Sequence, residues 1–68
     1  MMRILGIDPG LQKTGWGVIE SDGNRLSFLA CGTIKTNPAD SIGERLAQIS
    51  HELEAIIQNW NPGECAIE

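Results

Sequence analysis

A helical stripe set between extended segments decides most of what this chain can become. Ile42, Leu46, Ile49, Leu53, Ile56, Ile57 and Trp60 recur at helical intervals, which gathers them on one side of a helix and requires that side to be covered. The stretches on either side of it read differently. Arg3-Ile4-Leu5-Gly6-Ile7-Asp8 is a short, almost continuous apolar run stopped by Pro9-Gly10, the pattern of a strand buried on both faces. After an Asn61-Pro62-Gly63 stop, Glu64-Cys65-Ala66-Ile67-Glu68 is again extended and apolar. A helix that leaves a sheet and hands the chain back to an extended segment is a crossover, and a crossover returns its strand parallel to the sheet.

Two more strands fill the space before the helix. Thr14-Gly15-Trp16-Gly17-Val18-Ile19-Glu20 is rich in strand formers although two glycines weaken it. Ser21-Asp22-Gly23-Asn24 supplies a hairpin turn. Residues 26 to 35 follow as a third strand, with Leu26, Phe28, Ala30 and Ile34 on one side and Ser27, Cys31, Thr33 and Lys35 on the other. Leu29 breaks that alternation. The helix has two candidate starts: Asn37-Pro38 as cap and first residue, or Ser41 with Glu44 as a capping box one turn later. The expected order is strand, strand, strand, helix, strand, an α/β arrangement with a mixed sheet.

Composition narrows the function. With 68 residues the chain forms at most one small domain, and a domain of that size buries only about 60% of its unfolded surface. An extended segment at its very end makes the chain read as cut. A hydrophobic content of 41% against 21% charged residues suits a folded protein. No apolar run has the roughly 20 residues of a membrane span, and no secretory leader pattern opens the chain, so no membrane role and a cytoplasmic location are expected. Cys31 and Cys65 lack Cys-x-x-Cys spacing and are expected as reduced, half-buried thiols. His51 projects away from the apolar stripe and reads as a solvated surface residue. The net charge of −4, with Arg3, Lys13, Arg25, Lys35 and Arg45 scattered along the chain, runs against simple nucleic-acid binding. If DNA is the substrate, the main basic surface lies elsewhere.

Two carboxylates carry the chemistry. If the last strand lies parallel to the first, Asp8 and Glu68 reach the same sheet edge on strands about 4.8 Å apart. Carboxylates so close repel unless a cation neutralises them, and an all-oxygen donor set suits Mg²⁺ or Mn²⁺. Read singly, each has an ordinary alternative: Asp-Pro-Gly is good turn chemistry, and a terminal glutamate is usually solvated.

Taken together, Gly6-Ile7-Asp8-Pro9-Gly10, Thr14-Gly15-Trp16-Gly17-Val18-Ile19 and the helix closing on Ala66-Ile67-Glu68 closely resemble the RuvC family of crossover junction endodeoxyribonucleases. The resemblance covers the whole chain, including the spacing from Asp8 to Glu68. It implies a ribonuclease H-like fold, of which residues 1–68 are the N-terminal part of a single nuclease domain. It also implies metal-dependent hydrolysis of DNA phosphodiesters at Holliday junctions in recombination and repair, by a homodimer working with the RuvA–RuvB branch-migration machinery. Asp8 and Glu68 match the family's first two catalytic, metal-holding acids; its two later acids have no counterpart here, so the 68 residues alone are expected to be inactive.

Other residues have more ordinary readings. Gly6 and Gly10 suit close packing and a turn, and Trp16 and Trp60 suit a core rather than base stacking. Lys13, beside the proposed site, is within reach of a phosphate, but a lone exposed lysine is ordinarily a solvated charge. The rival of another class is an ATP-binding domain of the actin, sugar-kinase and Hsp70 type. It would want a Gly/Ser/Thr-rich loop after Asp8, where this chain has Leu11-Gln12-Lys13 before Thr14. YqgF-type resolvase-like proteins share the first Asp, but Thr-Gly-Trp-Gly favours the RuvC family itself.

Overall fold

The computed structural model describes residues 1–67. Its elements are β1 (Met2–Asp8), β2 (Lys13–Asp22), β3 (Arg25–Lys35), α1 (Ile42–Trp60) and β4 (Glu64–Ile67). They form one sheet in the order β3-β2-β1-β4. The two hairpin pairings are antiparallel, and β4 returns parallel to β1, with Ile4 opposite Glu64 and Ile7 opposite Ile67. This is the expected crossover. The first hairpin strand starts one residue earlier than expected and runs on to Asp22, so the connection to β3 is just Gly23-Asn24. Gly23 takes φ +60°, which a side chain would resist and a two-residue hairpin turn requires.

The core is small and lies between the sheet and α1. Leu5 and Val18 are fully buried at its centre, joined by Ile7, and Trp16, Leu29, Leu53, Ile56 and Trp60 pack around them. Both tryptophans are therefore core residues. The expectation that β1 is buried on both faces fails: Leu5 and Ile7 point into the core, whereas Ile4 and Gly6 on the other face are half-buried. Among the described residues no second layer covers that face. The helical stripe is likewise only partly covered, with Leu53, Ile56 and Trp60 packed and Ile42, Leu46 and Ile57 exposed. A radius of gyration of 13.1 Å, against about 11 Å for a compact domain of this length, records the same openness.

The faces of β3 also need correcting. Val18 pairs with Ala30 but Ile19 pairs with Phe28, so Leu29 is an extra residue, a bulge. A bulge reverses which side chains face the core. Ala30 and Ile34 share the helix side, but Leu26 and Phe28, expected on the same side as these two, turn to the open face, where they are 72% and 68% exposed. Leu29, the residue that broke the alternation, enters the core instead. Cys31 and Cys65 are free thiols and are exposed rather than half-buried.

Capping decides where α1 begins and ends. Of the two candidate starts, Ser41 is the cap, its Oγ accepting from the Glu44 N–H at 3.2 Å. Asn37 is occupied locally, its Oδ1 accepting from the Ala39 N–H at 2.9 Å. At the other end Asn61 adopts the left-handed conformation and its N–H donates to the Ile57 carbonyl at 2.7 Å. No basic residue sits in the last turn of the helix. Arg3 supplies the missing charge from β1: its Nη1 donates to the Trp60 carbonyl at 2.9 Å, its Nε pairs with Glu20 at 3.3 Å, and its guanidinium lies 5.8 Å from the Trp60 ring centroid. A cation at a helix C-terminus is stabilised by the helix dipole, so Arg3 fastens the helix end to the sheet.

Candidate active site

Asp8 closes β1 at the edge of the open face. Its cross-strand partner is Gly15, and Gly6 pairs with Gly17. Together with Ala66 of β4, and with Ile7 and Trp16, whose side chains belong to the core on the other face, these residues line a shallow open depression of about 300 Å³. The floor is made almost entirely of backbone and small side chains, so a bulky ligand can approach the Asp8 carboxylate without meeting one. Asp8 itself is exposed.

The loop that follows Asp8 is held by side chains that the sequence reading did not single out. Thr14 is 1% exposed; its Oγ1 accepts from the Gly10 N–H at 3.3 Å and donates to the Gly10 carbonyl at 3.0 Å. Farther along, the Thr36 hydroxyl donates to the Leu11 carbonyl and accepts from Arg45 Nε at 3.2 Å, while the Thr36 N–H donates to the Gln12 carbonyl at 3.1 Å. Arg45, the buried residue of α1, thereby ties the helix to the loop. Gly10 serves a close approach rather than a positive φ: a Cβ there would lie 2.5 Å from the Lys13 carbonyl oxygen. A polar residue at an inward strand position, as Thr14 is, was the signal available for this clamp.

The other expected site residue, Glu68, lies outside the described residues. The β1–β4 register is described as far as Ile7 and Ile67, one residue short of Asp8 and Glu68 in each strand. Among the described residues no group of three or more His, Cys, Asp or Glu side chains is placed to hold a metal ion. Asp8 is the one donor they bring to this edge. His51 is exposed on α1 and takes no part. Among the described residues, no helix is long and apolar enough to cross a membrane.

Comparison with known proteins locates the chain. Residues 4–68 match the family model for crossover junction endodeoxyribonuclease RuvC. Proteins of that name from Xanthobacter autotrophicus and Rhodopseudomonas palustris are 52% and 49% identical over 67 residues, which is 98% of this chain but 40% and 38% of theirs. The chain thus spans about 40% of the length of these curated relatives. Among solved structures, Thermus thermophilus RuvC in complex with a Holliday junction substrate superposes with a TM-score of 0.90 at 28% identity, over 98% of this chain and 41% of that one. An Aquifex aeolicus PPX-GPPA enzyme matches at 0.76 with 16% identity, a likeness of fold alone. The sheet order, the parallel return of β4 and the RuvC superposition make this the N-terminal part of a ribonuclease H-like fold. By a match that takes in all but its first three residues, the chain belongs to the RuvC family of crossover junction endodeoxyribonucleases.

Proposed function

We propose that this chain is the N-terminal part of a single nuclease domain whose complete protein resolves Holliday junctions, by metal-dependent hydrolysis of DNA phosphodiesters in recombination and repair. The observation that carries the proposal is Asp8: an exposed carboxylate at the C-terminal end of an interior strand, opening on a depression floored by glycines, in a chain of the RuvC family. The reading over an ATP-binding domain is supported by the same match and by the loop after Asp8, which is clamped by threonines but not rich in Gly, Ser and Thr.

Asp8 and Glu68 are proposed as catalytic acids and metal ligands. The described residues fit this in part: they supply one carboxylate on a rigid strand, and further donors have to complete the site. Oxygen donors select Mg²⁺, with Mn²⁺ as a substitute. When bound, such cations supply a water nucleophile at neutral pH and charge neutralisation at the phosphate. What this chain contributes is position. The Thr14 and Thr36 clamps fix the loop that leaves Asp8, so the carboxylate is held by strand pairing on one side and by a pinned turn on the other. The bare floor of Gly6, Gly15 and Gly17 leaves room for a sugar-phosphate backbone to reach it. Water attack on phosphorus then breaks the bond to the 3′ oxygen, leaving a 3′ hydroxyl and a 5′ phosphate.

A four-way junction presents two equivalent strands, so the acting species is proposed to be a homodimer with one site per protomer, partnered by RuvA–RuvB in the cytoplasm. The 68 residues alone are proposed to lack activity, since one or two carboxylates do not make a two-metal site. The test is cleavage of a labelled four-way junction with Mg²⁺ by the protein expressed from its complete reading frame. Asp8→Asn is expected to abolish cleavage, by at least about a hundredfold on the scale typical of lost transition-state charge stabilisation, while retaining junction binding. Full cleavage by that variant would refute the assignment.

A further inference from the structure

Lys13 and Lys35 are directly opposed across the β2–β3 ladder. Like charges in that position destabilise a sheet, and this chain carries just five basic residues against nine acidic ones. Both lysines are exposed, and among the described residues neither is in an ion pair. The next pair along, Thr14 and Ile34, is 1% and 3% exposed on the helix side. Alternation therefore places Lys13 and Lys35 on the opposite, open face, the one that carries Asp8.

The distance from Asp8 follows from the register. Asp8 pairs with Gly15, and Lys13 is two residues farther along β2, roughly 7 Å at the rise of an antiparallel strand. A Cβ on Gly15 would meet nothing within 4 Å, so the surface between the carboxylate and the lysines is open backbone. Opposed residues in such a ladder have Cα atoms about 4.5–5.5 Å apart, close enough for both ammonium groups to converge on one anion. An anion between them also removes their repulsion.

We propose that Lys13 and Lys35 form a two-ammonium grip on a DNA backbone phosphate, one or two nucleotides from the phosphodiester presented to Asp8. This rests on the nuclease reading above. The grip adds backbone affinity beside Asp8 and reads no sequence, because ammonium groups meet phosphate as point charges. The position of Lys13 beside the site thus acquires a partner that the linear sequence does not reveal.

The test compares wild type with the Lys13→Gln/Lys35→Gln double variant, both expressed from the complete reading frame, on a labelled four-way junction across a range of salt concentrations. The expected result is junction binding at least about tenfold weaker at low salt, with the salt slope reduced by about 1 per protomer, since one phosphate contact is lost. KM should rise accordingly while kcat stays within about threefold, and Lys13→Arg/Lys35→Arg should restore binding. The urea midpoint of the glutamine variant should stay level or rise, since two facing charges have been removed; this separates lost contact from lost fold. Unchanged affinity and salt slope in the glutamine variant, with wild type cleaving normally, would overturn the grip and leave the nuclease reading standing. Failure of the wild type to bind junction DNA would overturn both.

Discussion

Replacing Thr14 with valine tests whether the loop after Asp8 is held as described. The two side chains have nearly the same shape, so the change leaves no cavity and isolates the hydroxyl. That hydroxyl makes two bonds to Gly10, at 3.3 and 3.0 Å, from a position 1% exposed to solvent. Each is expected to contribute about 1 kcal/mol net, and the added buried methyl returns up to about 0.8 kcal/mol. A loss of about 1–2 kcal/mol follows, read as the shift of the urea transition at constant m. Global stability alone does not locate that loss, whereas the Gly10 amide does: deprived of its acceptor, it should exchange with solvent about 5–30-fold faster, the ratio equivalent to that energy. Thr14→Ser supplies the control. It loses a buried methyl and so costs stability as well, but it keeps the hydroxyl and should keep Gly10 protected. Unchanged Gly10 protection in the valine variant, or equal loss in both variants, would refute the clamp.

Two further expectations concern neighbouring contacts. Gly10→Ala forces its methyl against the Lys13 carbonyl oxygen at 2.5 Å; the backbone must shift, costing about 1–3 kcal/mol by the scale of overpacking and lowering junction cleavage, and a variant with wild-type stability and rate would show that the approach is not tight. Arg3→Met removes the charge at the end of α1 and the bond to the Trp60 carbonyl. Because the side chain is 41% exposed, the expected loss is discounted to about 1–2 kcal/mol; a denaturation midpoint equal to wild type, measured in low salt, would contradict it.

The parts of this fold that could be read from the sequence are those set by a local period. The stripe from Ile42 to Trp60 announced a crossover, Pro9-Gly10 ended the first strand at Asp8, and Asp22-Gly23 marked the hairpin. The helix start stayed open between Asn37 and Ser41 because both are good caps; the choice is made by Asn37 turning its side chain back on the Ala39 N–H. Other features depend on which residues meet across strands. Leu29 interrupted the alternation, but an interruption does not say whether a strand ends or bulges, and that distinction sends Phe28 and Leu26 to the opposite face. Arg3 and Arg45 read only as scattered charges, yet Arg3 joins β1 to the end of the helix and Arg45 joins the helix to Thr36, and Lys13 had no visible relation to Lys35 across an intervening turn. For the candidate site, the position of Asp8 at the end of β1 was legible from the motif there; Glu68, expected from its spacing and the family resemblance, lies outside the described residues.

The placement of β1 inside the sheet also sets an order of events during synthesis. Its hairpin partner β2 follows at once in the chain, and hairpins close in microseconds. Its other neighbour is far away: Ile4 pairs with Glu64, a separation of 64 − 4 = 60 residues. At about 5–20 residues per second a ribosome needs roughly 3–12 s to make that stretch. Through that interval one margin of β1 offers unpaired N–H and C=O groups to any strand that comes near. The strand carrying Asp8 is therefore paired along one margin seconds before its other margin can be closed.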